Sequence, residues 1–147
     1  MMDETTSAIE SEMAMLLRLA DRNRRSPALE STLDRSAYLV LSVLEQQRVA
    51  NISTIAEALR LDASTVTRQV VAMEAAALVE RRRDPADGRG TLVVATPHGI
   101  TQLAATREVR SAVYADVLAD WAFADREALG ALLHRLNDDL DRYARRH

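Results

Sequence analysis

Apolar residues recur at helical spacing over most of the chain and change to short strand-like runs only between about residues 79 and 96. Near the start, Ile9, Met13, Leu16 or Leu17, and Ala20 predict a helix from about Thr6 to Arg25, which Ser26-Pro27 ends. A second helix is predicted from about Asp34 to Gln46, with Ala37, Leu41 and Leu44 as its apolar stripe. Ser53 is placed to cap a third helix whose Ile55, Ala56 and Leu59 face inward. Arg60-Leu61-Asp62 makes a turn, and a fourth helix opens at Asp62 or Ala63. Its Val66, Val70 and Met73 fall at i, i+4 and i+7, the spacing of a buried stripe.

Two strands are predicted next, about Val79 to Arg83 and Leu92 to Thr96. The residues between them, Asp84-Pro85-Ala86-Asp87-Gly88-Arg89-Gly90, are turn formers suited to a hairpin tip. Asp87 and Arg89 are close enough in sequence to pair, which would hold the Arg extended. Thr96-Pro97 reads as a cap followed by Pro at the first helical position, opening a fifth helix to about Asp120. A sixth runs from about Asp125 to Arg145 with a stripe of Leu129, Leu132, Leu133, Leu136, Leu140 and Tyr143. That stripe is too strong for a tail helix to leave exposed: it must pack on its own domain, completing a monomeric core, or on a partner chain, and the two chain ends are read as a dimerisation layer. The fold class expected is mainly α with a small β-hairpin. A winged helix-turn-helix occupies about residues 34–99 of a single domain, with dimerisation helices at about 6–25 and 100–145.

The fourth helix carries the chemistry. Ser64, Thr67, Arg68 and Val71 fall away from the buried stripe, with Thr65 at the margin. An Arg can bind guanine O6 and N7 bidentately, and Thr can reach phosphate with its hydroxyl or thymine with its methyl. Charge lends no help: the chain carries a formal −3, and Arg and acidic residues nearly balance between Arg48 and Arg89. A DNA surface would therefore need its Arg side chains segregated onto one face. The absence of cysteine excludes a disulfide framework, a thiol switch and a Cys-ligated metal. The acidic N-terminus, with no long apolar run after it, points to a cytoplasmic protein without a membrane span.

Taken together, these features resemble the MarR family of bacterial transcription regulators. The resemblance is most specific in Leu61-Asp62-Ala63-Ser64-Thr65-Val66-Thr67-Arg68, in Leu78-Val79-Glu80-Arg81, and in Asp84-Pro85-Ala86-Asp87-Gly88-Arg89 with Leu92 to Gly99. It implies a two-fold dimer built from the terminal helices and bound to a pseudo-palindromic operator. It also implies that Ser64, Thr65, Thr67 and Arg68 contact DNA in the major groove, with Asn51 and Ser53 touching phosphate. Arg89 matches the family's wing Arg and Asp87 its supporting carboxylate. Members commonly bind small aromatic or phenolic effectors that release DNA; Tyr38, Trp121 and Phe123 are among the few aromatic candidates here. The chain departs from the family pattern at Ala77 and Arg60, where Gly is frequent, and at Gln69, where an aliphatic residue is common.

No enzyme is expected. His98, His134 and His147 are scattered without metal-ligand spacing, and no Gly-rich loop could cradle a phosphate. Asp138, Asp139 and Asp141 read as a solvated helix face, so neither metal nor cofactor is predicted. The functional expectation is a ligand-responsive, homodimeric repressor binding double-stranded DNA. The alternative is a winged-helix dimer that binds a protein partner instead.

Overall fold

The computed structural model describes residues 3–147. The elements in order are α1 (Glu4–Arg24), α2 (Pro27–Glu30), α3 (Arg35–Gln47), β1 (Val49–Asn51), α4 (Ile52–Leu59) and α5 (Ala63–Ala75). After them come β2 (Val79–Arg83), β3 (Thr91–Ala95), α6 (Pro97–Val117) and α7 (Phe123–Arg146). The chain forms two compact units, one through Arg110 and one from Ser111 onward.

The core lies in the first unit, and the predicted stripes supply it. Ala37, Val40, Leu41 and Leu44 of α3 meet Ile55 and Ala56 of α4, Val66, Val70 and Met73 of α5, and Val93 of β3. Residues three and four apart share one helix face, which is why these positions turn inward together. The Asp34 carboxylate caps α3 by accepting from the Ala37 N–H at 2.8 Å.

The expected hairpin is two-thirds of a three-stranded antiparallel sheet, in the order β1-β3-β2. The short β1 sets Val49 opposite Val94 and Asn51 opposite Leu92. Sequence pattern could not show it, because three residues are too few for an alternation to register. On the other side, β2 pairs with β3 from Val79–Ala95 to Arg83–Thr91. Only Val79 of β2 is buried; the rest of this edge strand is charged, as suits an edge facing water.

A close approach locks β2 to α6. The Leu78 carbonyl accepts from the Thr96 N–H at 3.1 Å, and a Cβ added at Gly99 would lie 2.1 Å from that same oxygen. Glycine is therefore required at residue 99. Thr96 caps α6 as predicted, its hydroxyl accepting from the Gly99 N–H at 3.0 Å and donating to the Ala77 carbonyl at 2.6 Å.

Helix boundaries shift at both ends of the chain. Ser26-Pro27 ends α1 and also opens the unforeseen single turn α2. At the other end α6 stops at Val117 and α7 starts at Phe123. Within the first unit, α6 is fastened to α3 by polar contacts. Arg107 bonds both Glu45 carboxylate oxygens at 2.7 Å, and the Arg110 guanidinium lies 4.5 Å from the Tyr38 ring centroid. Neither α1 nor α7 contains a buried residue. Among the described residues no helix is long and apolar enough to cross a membrane.

Candidate nucleic-acid interface

Helix α5 buries Val66, Val70 and Met73 and turns Ser64, Thr67, Arg68 and Val71 to solvent, with Thr65 half-buried between. Polar side chains thus line an exposed face near its N-terminal end, where backbone N–H groups also favour phosphate. Thr67 donates to the Ala63 carbonyl at 2.9 Å, which fixes its rotamer and leaves its methyl for apolar contact. The Arg68 guanidinium lies 3.4 Å from the Thr65 hydroxyl. That long contact restrains the Arg without burying it.

The cap of α4 corrects the sequence expectation. Asn51, and not Ser53, is the N-cap, its Oδ1 accepting from the Thr54 N–H at 2.8 Å. Both residues are good caps, and the pairing of β1 with β3 decides between them by holding Asn51 extended. Ser53 is left exposed in the first turn of α4. Two departures from glycine also acquire a meaning. Arg60 ends α4 at φ 57° and Ala77 follows α5 at φ 61°, both in the left-handed region where a side chain costs energy.

Between β2 and β3 the wing tip is shaped by its aspartates. Asp84 accepts from the Ala86 N–H at 2.9 Å, and Asp87 accepts from the Arg89 N–H at 3.1 Å. Asp87 therefore supports Arg89 through the backbone, not through the guanidinium as the sequence suggested. A carboxylate two residues before an N–H in a tight turn reaches it readily. Arg89 is exposed, and among the described residues its guanidinium has no partner within the chain.

Three arginines outside the sequence-derived site stand beside it. Arg82 pairs with Glu80 at 3.2 Å, and Arg83 Nε donates to the Gly88 carbonyl at 3.1 Å, bracing the tip. Arg81 is held by Glu74 of α5. Hydrogen bonds from the Arg81 guanidinium, then from its backbone N–H, lower the Glu74 pKa below its ordinary 4.5. Glu74 is thus ionised throughout the neutral range. The run Arg81-Arg82-Arg83 was the available signal, one strand length before the tip. Among the described residues no His, Asp or Glu cluster could hold a metal.

This arrangement has relatives. The sequence model of the MarR family matches residues 33–91. The uncharacterized HTH-type transcriptional regulator YxaD of Bacillus subtilis is 36% identical over 129 residues, spanning 88% of this chain and 90% of that protein. The solved PcaV transcriptional regulator of Streptomyces coelicolor, in complex with its natural ligand, superposes with TM-score 0.73 at 22% identity. That match covers 94% of this chain and 98% of that one. BpsR of Bordetella bronchiseptica, whose DNA binding is regulated by 6-hydroxynicotinic acid, gives TM-score 0.65 at 24% identity over 86% of this chain and 98% of its own. The chain belongs to the MarR family of transcription regulators.

Proposed function

We propose that this regulator is a homodimeric repressor that binds a pseudo-palindromic operator and releases it when a small aromatic or phenolic molecule binds. The observation that carries the reading is the pairing of an exposed Ser64, Thr67 and Arg68 face on α5 with an exposed, unpartnered Arg89 at the wing tip. Helix α5 would enter the major groove, Arg89 the minor groove, and Asn51 and Ser53 would face phosphate.

The net charge of −3 does not oppose this, because arginines gather at the wing. Arg83 adds to the positive charge near Arg89, whereas Arg81 is paired with Glu74 and Arg82 with Glu80. A second copy would cover the exposed aliphatic residues of α1 and α7, and would set the two α5 helices about one DNA turn apart, roughly 34–36 Å. An effector has a cleft of about 620 Å³ available in the first unit, where Arg24, Arg25 and Arg35 stand near Leu29 and Leu33. Its size suits a small organic molecule, and its charge is mixed, since Glu30 and Asp34 line it beside the arginines and Arg35 pairs with Asp21. The 6-hydroxynicotinic acid that regulates BpsR is a small aromatic molecule of the proposed class.

The test is binding of the purified protein to a duplex from upstream of its own gene and to a random duplex, across a salt series. The proposal expects salt-sensitive binding with a clear preference for the upstream fragment. No binding to either duplex at low salt would overturn it in favour of a protein partner.

A further inference from the structure

We infer that Glu74 is a positioning residue that clamps the wing at a fixed angle to α5, so that helix and wing present themselves to a partner as one rigid body. Its role in DNA recognition rests on the reading just proposed; its role in holding the wing does not.

The geometry is a clamp of two hydrogen bonds and one ion-pair contact. Glu74 stands in the last turn of α5, and Arg81 in the middle of β2. Glu74 Oε1 accepts from Arg81 Nε at 3.1 Å and lies 3.0 Å from its terminal nitrogen; Oε2 accepts from the Arg81 backbone N–H at 3.0 Å. Both carboxylate oxygens are therefore engaged, by one residue, through side chain and main chain together. An ordinary exposed ion pair drifts among many geometries, whereas a carboxylate held on one oxygen by a guanidinium and on the other by the same residue's backbone N–H is confined to one.

The backbone bond has its own cause. Strand β2 is an edge, so alternate N–H groups along it have no strand partner, and Glu74 takes the one at Arg81. Between the two residues the chain reverses through left-handed Ala77. Backbone bonds close that reversal, from Ala77 N–H to the Glu74 carbonyl at 3.0 Å and from Leu78 N–H to the Met73 carbonyl at 2.9 Å. Those bonds fix where β2 starts. Glu74 holds the strand two residues further out, at the base of the projecting hairpin that carries Arg89. A small rotation there is magnified at the tip.

Charge gives the functional test a sign. Deleting a carboxylate beside DNA would, by electrostatics alone, strengthen binding. A clamp predicts the reverse. The chain has no cysteine, so spin labels on Ala72→Cys and Ala86→Cys, both exposed positions, report one helix-to-wing distance. Labelled chains are diluted with unlabelled ones so that only distances within a chain are read.

Glu74→Ala should turn a narrow distance distribution into a broad one with helix content unchanged by circular dichroism. If that variant loses its helix content, Glu74→Gln, which keeps the side chain's size, takes its place. An unchanged distribution overturns the inference, whether or not the protein binds DNA. On the upstream duplex, Glu74→Ala should weaken binding about fivefold, and by less than about twofold when Arg89→Ala is already present. Equal losses in the two backgrounds, or a gain in affinity, would show that Glu74 does not act through the wing. If the wild type binds no DNA, the DNA-binding reading fails while the label distances still decide the clamp.

Discussion

The winged helix-turn-helix and the two terminal helices are built from the same aliphatic residues, yet they dispose of them differently. In α3, α4 and α5 the stripe is consumed inside the chain: Leu41, Leu44, Ile55, Val66 and Val70 are essentially inaccessible. In α1 and α7 a comparable stripe stays in water, with Leu17, Leu132 and Tyr143 each about 60% exposed. A helix of this amphipathicity gains about 25 cal/mol for each square ångström of apolar surface it removes from water, and these helices leave that gain unrealised within one chain. The contrast separates a part whose shape is complete from a part whose proposed completion is a second copy.

Substitutions should break the contrast unequally. Leu44→Ala empties part of a closed core and should cost about 2–5 kcal/mol, read as a lower unfolding midpoint at every protein concentration. Gly99→Ala drives a Cβ into the Leu78 carbonyl and should cost about 1–3 kcal/mol by the same assay, since backbone on both sides must move. Leu132→Lys should barely affect folding of the single chain. It should instead raise the dissociation constant of self-association by about 10–100-fold, measured by sedimentation over a dilution series. If Leu132→Lys left self-association unchanged, the exposed stripe of α7 would not be the dimer surface. The smallest effect has the opposite sign. Ala77→Gly relieves a left-handed backbone and should stabilise the protein by about 0.5–1 kcal/mol.

The same contrast explains what the sequence could reveal. Helical stripes were legible because burial repeats with the helix period, so Val66, Val70 and Met73 identified the inner face of α5 and left Ser64, Thr67 and Arg68 as the outer one. Thr96 was legible as a cap because Pro97 follows it directly. Features created by pairing across the fold were not. Strand β1 exists because β3 lies beside it, and that pairing moved the α4 cap from Ser53 to Asn51. The Glu74–Arg81 clamp spans a chain reversal whose left-handed residue is Ala77, so the usual glycine signal for such a turn is missing. Asp87 was singled out as a side-chain partner of Arg89, whereas its carboxylate accepts from the Arg89 backbone N–H, a distinction that spacing cannot make.

The account stands most directly on Arg68, the one arginine on the exposed face of α5. Its decisive measurement is the affinity of wild type and Arg68→Ala for the upstream duplex and for a random duplex at one salt concentration. If α5 reads base edges, Arg68→Ala should lose about 1–3 kcal/mol on the upstream duplex and little on the random one. Equal losses on both duplexes would mean that Arg68 meets only phosphate, and would contradict sequence reading by this helix face.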